Sequence, residues 1–294
     1  MIQNKTILVA GGDLRQMSLA KLFDKNNKVF CVGLEQGSGI SHLKTTVDEL
    51  IMKNVAFDYI ILPMPASLDN NTINCPFSSK NLLIDDVLCL ADEKTAVYGG
   101  KLSLNMKQHL EEKKLWYLDY LDREELAVLN AVPTAEGTIQ ILMEELPTTV
   151  YGTRCLLIGN GRITKVLTPR LIAMGAKVTV SARKYSDYAW IEIAGAKAIS
   201  THDIASHILN QDVVINTVPA MVLNEEILSK VDENCLLIDL ASKPGGIDFT
   251  IAREMGLKTI WALSLPGKVA PVSAGKIIYE TIQNVEAERR IHLD

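Results

Sequence analysis

The 294-residue sequence is poor in several features that would point directly to a function. Its five cysteines, Cys31, Cys75, Cys89, Cys155 and Cys235, are an odd number without paired spacing, which gives no basis for a zinc site or a disulfide framework. Three of them sit in apolar surroundings and read as small core residues. No basic tract is present: 30 Lys and Arg are scattered among 35 Asp and Glu for a net charge of −5, so nucleic acid is not an expected partner. No apolar run approaches the length of a membrane span, and the opening MIQNKTILVAGG reads as a strand rather than a leader. The expectation is a cytoplasmic protein that binds neither membrane nor metal. There is no internal repeat and no low-complexity segment. With 48% apolar and 22% charged residues the composition is that of a globular protein, and the length suits two domains.

The chain is organised around Arg154-Cys-Leu-Leu-Ile-Gly159-Asn160-Gly161-Arg162-Ile163-Thr164. An uninterrupted apolar run, Cys155 to Ile158, reads as a buried parallel strand. From Ile163 to Ala173 the spacing of Ile163, Val166, Leu167, Leu171 and Ile172 is helical. Strand, glycine turn and helix open a dinucleotide-binding unit. Gly159 permits the sharp turn, and Gly161, lacking Cβ, lets a pyrophosphate approach the backbone. The amides at the helix start, Arg162 and Ile163 with Asn160 before them, then face the phosphates, and the helix dipole favours their charge. Thr164 replaces the usual third small residue, with a hydroxyl that is expected either to loosen packing or to assist phosphate binding. An ordinary strand-to-helix turn carries the same local pattern, so the downstream sequence decides. There Lys177 to Ser181 reads as the second strand. Where an NAD enzyme places an acidic residue for the ribose, this chain has Ser181-Ala182-Arg183-Lys184. Two cations and a hydroxyl suit a 2′-phosphate, so NADP(H) is predicted over NAD(H).

The remaining elements alternate. Thr6–Ala10 and Val29–Val32 read as strands flanking a helix, with Asp13 as its N-cap and Arg15 as a surplus cation suited to an anionic ligand. Strands at Tyr59–Leu62, Ala96–Tyr98 and Leu115–Leu118 follow, with helices at 47–52, 82–90 and 103–112 and a polar loop at 66–78. Asp122 is read as capping a helix that Pro133 ends, before a second helix over 134–146. Within it Gly137 implies a close approach, and Glu136 and Thr138 are expected to face a cleft between domains. Asp212–Thr217 and Cys235–Asp239 are the fourth and fifth strands of the second half. Thr217, Val218 and Pro219, and then Leu240 and Ala241, therefore lie beyond strand ends, where open α/β sheets bind ligands. The fold class is α/β, with two doubly wound parallel-sheet domains joined by connecting helices. Residues 1–120 form a flavodoxin-like domain completed by a C-terminal helix at 274–294, residues 121–149 connect, and residues 150–273 form a Rossmann domain.

Taken together, six motifs resemble the dipicolinate synthase A-subunit family, in order and over nearly the whole chain. They are G-G-D-x-R (Gly11 to Arg15), A-E-G-T-I-Q (Ala135 to Gln140), G-x-G-R (Gly159 to Arg162), A-R-K (Ala182 to Lys184), D-L-A-S-x-P-G-G (Asp239 to Gly246) and L-P-G-K-V-A-P (Leu265 to Pro271). The two-domain build is also similar to D-2-hydroxyacid and alanine dehydrogenases. The resemblance implies an NADP-linked aromatising oxidation of a dihydro- or 4-hydroxy-tetrahydro-dipicolinate to pyridine-2,6-dicarboxylate, in the mother cell of a sporulating bacterium. The partner it implies is the flavoprotein-like B-subunit of dipicolinate synthase, and self-association of the chain is expected too. A cyclic dicarboxylate needs cations and donors, for which Arg15, Lys243, Lys268, Ser242 and Thr138 are the candidates. Lys268, Glu136 and Ser242 are the candidates for catalysis, with Glu136 or Lys268 as the base if burial shifts its pKa. His42, His109, His202, His207 and His292 all fall outside the motifs, unlike the histidine-based machinery of D-2-hydroxyacid dehydrogenases. Two other functions stay open: another NADP-dependent oxidoreductase of a small carboxylate or amino acid, and a nucleotide-binding subunit without catalysis of its own.

Overall fold

A computed structural model describes residues 2–291, which divide into two compact units. One comprises the chain up to Asn130 together with the segment from Ala270, and the other runs from Ala131 to Val269. Each is built on one wholly parallel sheet. In the first, β1 (Thr6–Ala10), β2 (Lys28–Val32), β3 (Tyr59–Ile61), β4 (Ala96–Gly99) and β5 (Trp116–Asp119) lie in the order β2-β1-β3-β4-β5. In the second, β6 (Arg154–Ile158), β7 (Lys177–Ala182), β8 (Lys197–Ser200), β9 (Val213–Asn216), β10 (Leu236–Asp239) and β11 (Thr259–Trp261) lie in the order β11-β10-β9-β6-β7-β8. These are the flavodoxin-like and Rossmann orders, as the alternation of strands and helices implied.

Continuous apolar runs are needed because both faces of each sheet are covered. On β1, Ile7 and Val9 join one cluster with Leu19, Phe23, Ile278 and Ile282, while Leu8 and Ala10 join another with Leu50, Val87 and Leu110. On β6, Cys155 and Leu157 pack with Leu167 and Leu171, while Leu156 and Ile158 pack with Ile204 and Leu228.

The C-terminal helix, Pro271–Ile291, lies against the first helix, Leu14–Asp24, and so belongs to the first unit. Gly275 permits the approach, since a Cβ there would stand 2.5 Å from the carbonyl oxygen of Arg15. Ile278, Ile282 and Val285 are buried on that helix and contribute about 1.5–3 kcal/mol each. Glu286, also buried, accepts hydrogen bonds from Tyr59 Oη at 2.8 Å, from Tyr98 Oη and from Arg289. Burial together with that carboxylate pushes both tyrosine hydroxyls well above their ordinary pKa.

Three sequence expectations are corrected here. Pro133 does not end a helix: a single helix runs Glu124–Glu145 with Pro133 inside it. The proline removes one hydrogen bond, and the core burial of Leu126 before it and of Ala135 and Leu142 after it outweighs that loss. Asp122 is not its cap, because Ala127 N–H bonds to Arg123 O and Asp122 instead lies 3.6 Å from Lys107. The same helix is long and apolar enough by composition to cross a membrane, which the sequence reading did not expect; Leu126, Ala131, Ala135 and Leu142 are buried, whereas Val128, Leu129 and Met143 are exposed. His292 lies outside the described residues.

Candidate functional site

The glycine turn follows directly from the end of β6. Gly159 has φ +90°, and a Cβ on it would meet Val218 Cγ2 at 2.7 Å and Thr217 Oγ1 at 2.9 Å, so only glycine fits. Gly161 is the N-cap of the helix Arg162–Ala173 and has no side chain to cap it. A Cβ there would meet nothing within 4 Å, so the turn faces open space on that side. The first helical amides are left without intrahelical acceptors. Pro169 lies inside this helix, beyond its first turn.

A cavity of about 480 Å³ opens at this point. Gly159, Asn160 and Gly161 form one wall, Arg183 and Lys184 another, and Thr217, Val218 and Pro219 a third. The strand order explains the convergence. Strand β6 has β7 on one side and β9 on the other, so loops leaving their carboxyl ends diverge and leave a crevice. Arg183 and Lys184 are exposed and precede the helix Tyr185–Ile193, of which Lys184 is the N-cap. The turn amides and the missing Cβ fit a dinucleotide diphosphate, with the two cations beside it.

Asp187 and Thr201 also line this cavity, and sequence reasoning missed both. Asp187 sits in the first turn of the helix Tyr185–Ile193, and Asn160 Nδ2 lies 3.4 Å from its carboxylate. The position of Asp187 follows from that helix, whose apolar spacing the sequence reading did not register. No histidine among the described residues lines the cavity. His42 pairs with Asp24 and His109 with Asp85 in the first unit.

Several predicted cofactor residues do something else. Ser181 is fully buried on β7, where its register partners are Ile158 and Ile199, and its hydroxyl has no partner. It is not among the residues that line the cavity. The hydroxyl of Thr164 is likewise buried, 3.3 Å from Thr217 Oγ1, which in turn donates to Ile158 O at 2.8 Å. Threonine thus replaces the third small residue of the motif by bonding to the next loop, and it does not reach the cavity. Ile163 packs on the core, as do Leu240 and the chain around Ala241, whose carbonyl accepts from Trp261 Nε1 at 3.0 Å. Arg162 starts the helix beside the turn.

Predicted substrate residues also separate into two groups. Arg15 is not a surplus cation. It is buried, its guanidinium bonds both carboxylate oxygens of Asp13 and donates to Met64 O at 2.7 Å, and Asp13 is the N-cap as expected. Thr138 is fully buried and donates to Thr134 O at 2.8 Å, so its hydroxyl is used within the helix. A Cβ on Gly137 would stand 3.2 Å from Val269 and 3.3 Å from Leu265, which accounts for glycine there. Glu136 is exposed, and so is Lys268, which sits on a short helix, Leu265–Val269. Neither has the burial that its role as a base required. Ser242 and Lys243 are exposed at the tip of a turn closed by Gly245 N–H to Ser242 O at 2.9 Å.

Known proteins match both halves of the chain. The family model for the N-terminal domain of the dipicolinate synthase A-subunit matches residues 6–121, and one described as putative NAD(P)-binding matches residues 147–253. The dipicolinate synthase A-subunit of Bacillus subtilis (strain 168) is 30% identical over 98% of both chains. The crystal structure of the A chain of dipicolinate synthase from Bacillus subtilis superposes with a TM-score of 0.87 over 99% of each chain. That of the dipicolinate synthase A-subunit from Bacillus halodurans gives 0.89 at 30% identity, covering 97% of this chain and 98% of that one. The apo-structure of D-lactate dehydrogenase from Escherichia coli, 11% identical with a TM-score of 0.61 over 97% of each chain, shares the fold alone. The second unit is therefore a nicotinamide-dinucleotide-binding domain, and the chain belongs to the dipicolinate synthase A-subunit family.

Proposed function

We propose that the chain oxidises a cyclic dihydro- or 4-hydroxy-tetrahydro-dipicolinate to pyridine-2,6-dicarboxylate, and that it prefers NADP(H) to NAD(H). The observation that carries this is the cavity where the two-glycine turn and the Arg183–Lys184 pair share one space. Two adjacent cations stabilise a 2′-phosphate by charge-assisted hydrogen bonds, and a ribose hydroxyl gains far less from them. Asp187 opposes this preference in part, since its carboxylate lines the same cavity.

When bound, the nicotinamide supplies the hydride acceptor. The dihydro ring loses one hydride and one proton to become aromatic, and the hydroxylated ring loses water in addition. The protein's own contribution is to hold the nucleotide at the turn and to hold two ring carboxylates. Ser242 and Lys243 at the turn tip, and Lys268 on its short helix, are the exposed donors and cations for the second task. Arg15 and Thr138 are left out because their polar groups already have partners.

The exposure of Glu136 and Lys268 favours a second reading, in which the proton acceptor comes from the flavoprotein-like B-subunit. One experiment tests both readings. The purified chain is titrated with NADPH and NADH by nucleotide fluorescence, and NADP reduction with the cyclic substrate is then followed with and without the B-subunit. Turnover by the chain alone supports a complete site. Turnover only in the presence of the B-subunit supports a shared one. Absence of NADPH binding refutes the assignment.

A further inference from the structure

Strands β9 and β10 both end in a buried polar residue, Asn216 and Asp239, each fully shielded from solvent. A carboxylate in such a place needs donors for its oxygens. Asp239 has three and, among the described residues, no cation. Its Oδ1 accepts from Ala241 N–H at 2.9 Å and from Asn216 Nδ2 at 2.8 Å, and its Oδ2 accepts from Gly246 N–H at 2.7 Å. Ala241 and Gly246 bracket the turn that presents Ser242 and Lys243, so this one carboxylate clasps both ends of that turn. Asn216 clasps the neighbouring loop in the same way. Its Oδ1 accepts from Val218 N–H at 3.1 Å and its Nδ2 donates to Val218 O at 2.9 Å. Val218 lines the nucleotide cavity.

The two loops are joined a second time, because Val222 and Leu223 donate to Gly246 O at 3.0 and 2.9 Å. The glycines here follow from the clasp. Gly245 has φ +85° with Asp239 Oδ2 2.9 Å from its would-be Cβ, and a Cβ on Gly246 would lie 2.3 Å from Asn216 Nδ2.

We propose that Asp239, acting through Asn216, is a positioning residue that fixes the Ser242–Lys243 turn in register with the Val218 wall of the nucleotide cavity. The assignment of Ser242 and Lys243 to the ring substrate rests on the function proposed above, whereas the mechanical coupling of the two loops does not. A buried network of this kind is stiff because each lost partner leaves another group unsatisfied.

The test uses Asp239→Asn and Asn216→Ser in the full chain, with site-resolved amide hydrogen exchange and kinetics in the presence of the B-subunit. Asparagine offers one acceptor oxygen where Asp239 uses two, so exchange at Gly246 is expected to accelerate at least tenfold. In Asn216→Ser the Ala241 and Gly246 amides keep their acceptor, yet their exchange is expected to accelerate as well, because the carboxylate loses the donor that aims it. Unchanged exchange at Ala241 and Gly246 in Asn216→Ser overturns the coupling. In the kinetics, KM for the cyclic dicarboxylate rises tenfold or more in Asp239→Asn while the NADPH Kd stays within twofold. Equal losses of both would mean that the sheet edge has loosened as a whole, and would also overturn the proposal. If Asp239 acts through the turn, Asp239→Asn adds less than twofold in a Lys243→Ala background, and full additivity argues against it. Should Lys243→Ala and Ser242→Ala alone leave KM unchanged, the substrate assignment of the turn fails, and the exchange experiment still decides the coupling.

Discussion

Alanine at Gly161 and alanine at Gly159 are expected to have opposite consequences, although the two residues are separated only by Asn160. At Gly161 the backbone is extended, with φ −81° and ψ −169°, and a Cβ meets nothing within 4 Å. Alanine is a poorer N-cap than glycine by several tenths of a kcal/mol, but it lowers the entropy of the unfolded chain by about 0.4–1 kcal/mol. Stability should therefore stay within about 0.5 kcal/mol of the parent, as the two small terms offset. The new methyl group projects into the space where a diphosphate meets the turn amides. Losing one charge-assisted bond there costs about 1.5–3 kcal/mol, which is roughly a 10- to 150-fold rise in Kd at about 1.4 kcal/mol per decade. Gly159 differs because it has φ +90° and Val218 stands 2.7 Å from the added carbon. The left-handed backbone costs about 1–2 kcal/mol and the overpacking about 1–3 more, so Gly159→Ala should lose roughly 2–5 kcal/mol of stability. Denaturant unfolding of each variant followed by NADPH fluorescence titration measures both quantities. NADPH binding by Gly161→Ala within twofold of the parent would refute the placement of the diphosphate at this turn.

Three further outcomes are expected. Arg183→Ala should raise the Kd for NADPH about tenfold, the low end of a charge-assisted bond because the residue is exposed, and should change the NADH Kd less than twofold; equal effects on both nucleotides would remove the case for a 2′-phosphate reader. Glu286→Ala leaves Tyr59 and Tyr98 hydroxyls without an acceptor inside the first unit, and should cost about 3 kcal/mol in denaturant unfolding while the NADPH Kd stays unchanged. Thiol alkylation at pH 8 should modify Cys89 first: it is exposed, whereas burial pushes Cys31, Cys75, Cys155 and Cys235 up to about 12. The sign follows from the direction of the shift, since a raised thiol pKa leaves the reactive thiolate about 10⁻⁴ populated at that pH. Mass spectrometry of native against denatured protein counts the labels, and early labelling of any of the other four in native protein would contradict the packing.

Much of the fold is set by local chemistry and was therefore readable in the sequence. Runs such as Ile7–Ala10 and Cys155–Ile158 have no polar residue to face water, so both sheets had to be parallel and covered on both sides. Gly159 and Gly161, the cations Arg183 and Lys184, and the loop Thr217–Pro219 each follow a strand, and strand ends are where such sheets bind ligands, so their meeting in one cavity was legible too. What failed to show in the sequence depended on partners distant along the chain. Whether Ser181 and Thr164 reach the cavity depends on how the rest of the chain covers them, and both are fully buried away from it, with Thr164 Oγ1 3.3 Å from Thr217 Oγ1. Arg15 looked like a free charge because its spacing to Asp13 does not reveal that the carboxylate would both cap the helix and hold the guanidinium. The continuity of Glu124–Glu145 through Pro133 could not be read locally, because a proline's cost is a local property and the burial that offsets it is not. Sequence by itself determined the order of the elements, the covered sheets and the glycine turn, all of which rest on backbone geometry and on the transfer of apolar side chains out of water. Tertiary structure alone decided which polar groups are already bonded and which remain for a ligand: Asp239 and Asn216 are taken up in the clasp and Arg15 in its ion pair, whereas Arg183 and Lys184 stay exposed at the cavity. A hydrogen bond needs both partners within about 3 Å, and that condition is met or missed only when the chain has folded.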